Sequence, residues 1–221
     1  MGTDNLFHKR RASKPANLSR AQGNRARSEK ILIVCEDSKV APHYFRGLKQ
    51  DRRLANLRIN GEECGSDPLT VVRYAREQYD ESRVDGDPFD RIYCVIDRDQ
   101  HETFNEAMSL ARDQKKIPIT VIVSDPCFEY WVLLHHQYSR KPYQPQPHKS
   151  VCEQVAADIR AKVPTYHKTM PGLYASLCDK TATAIQHATR AKAEAQETGN
   201  NNPSTDMHIL VQHLLDISNF I

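Results

Sequence analysis

Four acidic residues sit where a cation or a phosphate group can be held. Glu36 and Asp37 follow directly on the apolar run Ile31–Cys35, and Asp97 and Asp99 end or follow the run Ile92–Ile96. In an open α/β sheet, ligands bind outside the carboxyl ends of the strands. Neighbouring parallel strands lie about 4.8 Å apart, so two such runs side by side bring Glu36 next to Asp97. Alternation along an extended segment puts Asp97 and Asp99 on one side. Carboxylates this close repel, and a hard cation with oxygen ligands, Mg²⁺ or Mn²⁺, relieves the repulsion. The plainer alternative is that each acid only caps a loop or a helix. Both pairs occurring together on strand-like runs favours the metal.

Glu129 is the next candidate, in the first turn of a helix expected over Cys127–His136. Its plainer role is to complement the helix dipole. His136 lies seven residues on, sharing that face, and is a candidate for phosphate or substrate contact. His135 falls on the apolar face with Phe128 and Trp131 and reads as a core histidine. Asp206 and His208 read as residues of a helix start.

These acids need a frame, and the chain supplies one. Ile31–Cys35 is continuously apolar rather than alternating, which implies a strand buried on both faces, as in a parallel sheet between helices. Further strands are predicted at Leu57–Asn60, Asp90–Asp97 and Ile117–Val123, with helices at Pro42–Leu54, Pro68–Ser82 and Glu102–Lys115. The βαβαβαβ order argues for an open α/β sheet with right-handed crossovers. After Val123 only helices are predicted: Cys127–His136 entered through Asp125-Pro126, one through Val151, Val155 and Ile159, a long one over Tyr174–Glu197, and a last one capped by Ser204 or Thr205. The resulting division is an arm over 1–29, an α/β domain over 30–125 and a helical region over 126–221.

The chain has 221 residues, 39% of them hydrophobic and 27% charged, with a net charge of +3. That composition excludes a generally basic wrapper of nucleic acid, though not a basic patch. No run approaches the roughly 18 apolar residues of a membrane span. Lys9, Arg10, Arg11, Lys14, Arg20, Arg25, Arg27 and Lys30 stand in the first thirty residues against only Asp4 and Glu29. The segment has little to bury, so it reads as a flexible arm that is either phosphate-binding or merely solubilising. Six cysteines form no C-x-x-C pair and the histidines no H-E-x-x-H, so no structural zinc is expected. Cys35 and Cys94 fall in strand-like runs, which suits reduced thiols and a cytoplasmic location.

Several segments together resemble the RloB family. They are Ile31–Glu36, Tyr44-Phe45-Arg46-Gly47-Leu48, Val95-Ile96-Asp97-Arg98-Asp99, Ser124–His135 and Asn202–His208. The resemblance covers nearly the whole chain. It implies a Toprim-like open parallel sheet flanked by helices, followed by a helical C-terminal part. It also implies a metal-dependent nuclease acting on DNA or RNA in bacterial anti-phage defence, often beside an ATPase partner called RloA. In Toprim chemistry Glu36 would be the general acid/base, and Asp97 and Asp99 would hold Mg²⁺. Many relatives read Glu-Gly-Glu-x-Thr-Glu after the first strand, whereas this chain reads Glu36-Asp37-Ser38-Lys39-Val40-Ala41. Two carboxylates are missing and Asp37 replaces a glycine, as a substitute ligand or as a stiffener of the turn.

Two other readings compete. One is a non-catalytic subunit that binds nucleic acid or the ATPase on a Toprim scaffold. The other is a receiver-like signalling module with Asp97 as phosphoacceptor. The receiver reading is weakened by the 61-residue spacing from Glu36 and by the lack of a fifth strand with its lysine.

Overall fold

A computed structural model describes residues 28–61, 65, 67–98, 102–113 and 117–219. The arm residues Lys9 to Arg27 and Asp99 lie outside the described residues. Ser28 and Glu29, assigned to the arm, are tied to the sheet. The Ser28 carbonyl accepts from the Asn56 side chain at 3.0 Å, and Glu29 pairs with Arg91 and His213, each at 3.1 Å.

The first half alternates strand and helix. β1 (Ile31–Cys35), α1 (Val40–Asp51), β2 (Leu57–Asn60), α2 (Pro68–Val84), β3 (Arg91–Asp97), α3 (Phe104–Asp113) and β4 (Ile119–Asp125) follow in turn. The sheet order is β2-β1-β3-β4-β5, parallel throughout except for β5. This is an open α/β sheet flanked by helices, as expected. Burial explains the continuous apolar runs. Ile31, Ile33 and Cys35 of β1 face a large core with α1 and the C-terminal helices, while Leu32 and Val34 face a smaller one with α2 and α3. α2 begins where Asp67 accepts the Leu69 and Thr70 amides and Pro68 occupies the first turn.

The second half comprises α4 (Glu129–Leu134), α5 (Val151–Arg160), α6 (Leu173–Leu177), a 3₁₀ turn (Cys178–Lys180), α7 (Thr181–Thr198), β5 (Ser204–Thr205) and α8 (Met207–Ser218). It differs from expectation in three places. The helix after β4 starts at Glu129 rather than Cys127: the Phe128 amide donates to Asp97, which holds the segment before it over the end of β3. The stretch read as one helix from Tyr174 is broken at 178–180. Its first part packs on α1, and α7 packs on α4 and α8. Ser204 and Thr205 form a short antiparallel strand against Ser124 and Asp125, so the second half is not purely helical. The N-cap position of the last helix is Asp206 rather than Ser204 or Thr205, though the Thr205 hydroxyl accepts the Met207 amide at 3.2 Å. Among the described residues, no helix is long and apolar enough to cross a membrane.

The Tyr44–Leu48 segment shows why a glycine stands inside a helix. A Cβ on Gly47 would lie 2.8 Å from the Cβ of Tyr174 on α6. Gly47→Ala gains about 1 kcal/mol of helix propensity but forces α6 off α1, at about 1–3 kcal/mol. A net loss of up to about 2 kcal/mol is expected, read as a lower midpoint in urea. An unchanged or raised midpoint would show that α6 yields without cost.

Candidate functional site

The β1–β3 pairing sets the centre of the site. The register ends with Cys35 opposite Val95, and the Glu36 amide donates to the Val95 carbonyl at 3.0 Å. The next side chain, Glu36, then accepts the Asp97 amide at 2.9 Å. Glu36 is only 8% exposed, and Asp97 is half-buried beside it. Asp97 also accepts the Phe128 amide at 2.9 Å, which fixes the start of the α4 segment over the end of β3.

Glu129 follows and is 2% exposed. It pairs with Lys168 at 2.5 Å. Burial alone would lower the Lys168 pKa, but the Glu129 charge reverses this and holds it above the ordinary lysine range. Among the described residues, no cation is paired with Asp97. Burial, and then the charges of Glu129, Cys152, Glu36 and Asp37, hold its carboxyl well above the ordinary carboxylate range. Glu36, Asp97 and Glu129 are thus gathered at the carboxyl edge of the sheet.

Asp37 and His136 are placed differently. The Asp37 carboxylate accepts the amides of Lys39, Val40 and Ala41, so it closes the first turn of α1 while adding its charge to the Asp97 field. His136 lies beyond the end of α4. Its pKa is lowered by burial and then by Lys180, with no influence from the acidic centre. His135 is a core residue, its Nδ1 2.9 Å from the Trp131 carbonyl oxygen. Asp206 pairs with Lys192 at 2.7 Å, and His208 approaches the Thr205 carbonyl.

Four residues at the centre had no reading as site residues in the sequence. Cys127 and Cys152 bring their sulfurs within 4.8 Å of each other and of carboxylate oxygens of Asp97 and Glu129. Burial, and then a hydrogen bond with Cys152, raise the Cys127 thiol pKa. Lys168 and Tyr166 come from the loop between α5 and α6. Tyr166 is buried under the charges of Glu129, Cys127 and Asp37. Only the two-residue spacing of Cys127 and Glu129 was there to be found. Cys152 and the loop arrive through docking of α5, which no local pattern announces.

Beside this centre opens a cleft of about 410 Å³, lined by Arg98, Asp125, Tyr143, Gln144 and the turn Asn200–Asn202. Arg140 holds that turn through the carbonyls of Asn200 and Pro203. Arg98 reaches over the Phe104 ring, 5.4 Å from its centroid, and stays 3.9 Å from Asp125. A second groove, of about 810 Å³, follows the β2 edge between Lys30 and Gln78; Glu36, Asp97 and Glu129 line neither of the two.

A mostly parallel open sheet flanked by helices and followed by a mainly helical second half defines an open-sheet α/β protein. More narrowly, the chain belongs to the RloB family: the model of the RloB-like protein family matches residues 31–214. No curated protein and no solved structure matches the chain.

Proposed function

We propose that this chain is a metal-dependent nuclease hydrolysing phosphodiester bonds of DNA or RNA, in the anti-phage setting the family resemblance implies. The observation that supports the reading most is the Glu36–Asp97 contact. Where the adjacent parallel strands end, the Glu36 carboxylate accepts the Asp97 main-chain amide, and the Asp97 carboxylate lies in the field of Glu129, Glu36 and Asp37. An oxygen-donor pair of this kind fits Mg²⁺ or Mn²⁺. Glu36 and Asp97 would hold the ion, with Asp99 joining from the segment that follows. When bound, such an ion polarises a phosphoryl oxygen and stabilises the charge developing on it.

The chain's own groups divide the remaining work. Glu36, nearly closed off from water, holds or moves the proton of the attacking group. Lys168 is 46% exposed beside Glu129 and offers positive charge at the edge of the centre. Arg98 offers more from the cleft. The basic residues from Lys9 to Arg27 would add salt-dependent affinity for the phosphate backbone. A cytoplasmic location and an RloA-type ATPase partner complete the proposal.

A second reading, a non-catalytic binding subunit, draws support from Asp37. With three backbone amides on its carboxylate, Asp37 is a poor replacement for the carboxylates that relatives carry there. One experiment separates the two. The full chain, alone and with its ATPase partner, is incubated with Mg²⁺ or Mn²⁺ and single- and double-stranded DNA and RNA. The nuclease reading expects metal-dependent cleavage that Glu36→Gln removes. A metal-dependent melting shift or nucleic-acid binding without cleavage, even with the partner, would sink it in favour of the binding subunit.

A further inference from the structure

We propose that Asp97, Cys127, Glu129 and Cys152 form a binding site for a borderline-soft divalent cation, with Zn²⁺ as the ion that fits it. One ligand atom from each of the four lies within 4.8 Å of the other three. A four-coordinate Zn²⁺ takes sulfur at about 2.3 Å and carboxylate oxygen at about 2.0–2.2 Å. Tetrahedral geometry then separates the ligand atoms by roughly 3.3–3.8 Å. Closing the present cluster onto an ion needs contraction of about an ångström, within reach of side-chain torsions.

The donors come from separate, fixed pieces of the fold. Asp97 ends β3 and is oriented by the Phe128 amide. Cys127 and Glu129 flank that same amide in the chain. Cys152 sits in the first turn of α5, whose start is set by a reciprocal pair: Ser150 accepts the Glu153 amide and Glu153 accepts the Ser150 amide. Half-burial of Asp97 and Cys152 leaves a route from solvent, while Cys127 and Glu129 are buried.

Charge and polarity point the same way. Two carboxylates and two thiols share this space, and Lys168 on Glu129 is the cation paired with them among the described residues. A carboxylate has two oxygens, so Glu129 can keep Lys168 on one and serve an ion with the other. Lys168 would then offset part of the excess negative charge of a two-thiolate, two-carboxylate set around a divalent ion. The Tyr166 hydroxyl, from a buried side chain, has no hydrogen-bond partner among the described residues and lies in the field of Glu129 and Cys127. Thiolate donors select Zn²⁺ and its neighbours over Mg²⁺, which demands oxygen. This site shares Asp97 with the proposed nuclease centre but does not depend on cleavage.

The test is spectroscopic and uses the reduced full chain. Titration with Co²⁺ should produce sulfur-to-metal charge-transfer absorption in the near ultraviolet and intense visible bands of a tetrahedral ion. Equimolar Zn²⁺ should bleach both, while a large excess of Mg²⁺ should not. Cys152→Ser should lose much of the charge-transfer intensity, and Cys127→Ser with Cys152→Ser all of it. Circular dichroism confirms that the variants fold. Glu36→Gln should keep the spectrum, so loss of cleavage in that variant beside an intact cobalt signal tells the two sites apart. Absence of the charge-transfer band in the folded, reduced chain would overturn the proposal. So would its survival in the double variant, its displacement by Mg²⁺, or a Cys127–Cys152 disulfide that persists under reducing conditions.

Discussion

Asp97→Asn is expected to remove metal-dependent cleavage while leaving the metal-free protein at least as stable as wild type. A bound cation contributes several kcal/mol of transition-state charge stabilisation. At 1.36 kcal/mol per factor of ten, losing its ligand costs about a thousandfold or more in rate. Stability moves the other way because of where Asp97 sits. Burial, together with Glu129, Cys152, Glu36 and Asp37, disfavours its charged form, so its folded-state pKa lies above the unfolded value of about 3.9. The neutral form is therefore the better fit to the fold. As pH rises from about 3.9 through the raised folded pKa, the folded state loses stability relative to the unfolded one. Asparagine mimics the neutral form and still offers an oxygen to the Phe128 amide. Its advantage over wild type should thus be larger at neutral pH than at pH near 4, as read by calorimetry in chelator. A lower melting temperature with cleavage intact would mean that Asp97 only caps the α4 segment.

The largest loss of stability is expected from Trp131→Ala, at about 3–5 kcal/mol. Trp131 is fully buried, with its ring edge-on to His135 at 4.8 Å and to Tyr44 at 6.4 Å. Tyr44 in turn meets Phe45, Phe128 and Tyr174 at 5.3–5.7 Å, so one side chain joins α4 to α1 and α6. Burial lowers the His135 pKa to about 4, and the ring is carried neutral. That contribution is complete above about 6.5 and is lost as pH falls from there towards about 4. Urea titration at neutral pH measures the packing loss without that proton. Trp131→Phe, which keeps most of the bulk, should cost less than half as much. Equal losses in the two variants would place the stabilisation in the indole nitrogen rather than in packing.

The sheet was legible because its strands carry their burial in the sequence. Ile31–Cys35 and Ile92–Ile96 are buried on both faces since helices cover both, and that leaves a continuous run of mainly apolar residues. Glu36 and Asp97 were legible as site candidates for the same reason, since each marks the end of such a run. The start of α4 was not. Asp125 has the right type and position for a helix cap, but the acceptor for the Phe128 amide is Asp97, 31 residues earlier. Ser204-Thr205 was misread because two residues are too few to show a period: the N-cap position of α8 is Asp206, while Thr205 pairs with β4 and its hydroxyl accepts the Met207 amide. Cys127 and Cys152 looked unrelated at 25 residues apart. Their proximity comes from α5 docking on α4, a tertiary event with no local signature.

That two-residue strand also has a bearing on how the chain is made. Ser124 finds its partner Thr205 only after 81 further residues have been added. At about 5–20 residues per second, the outer edge of β4 waits roughly 4–16 s at the ribosome with its backbone groups unpaired. Pairings of such long range close late and slowly. Lys168 and Cys152 lie inside the same interval, so the nascent chain carries a nearly complete sheet well before it carries a complete acidic centre. A chain that stalls in this interval would present an open strand edge, the feature that invites pairing with another copy.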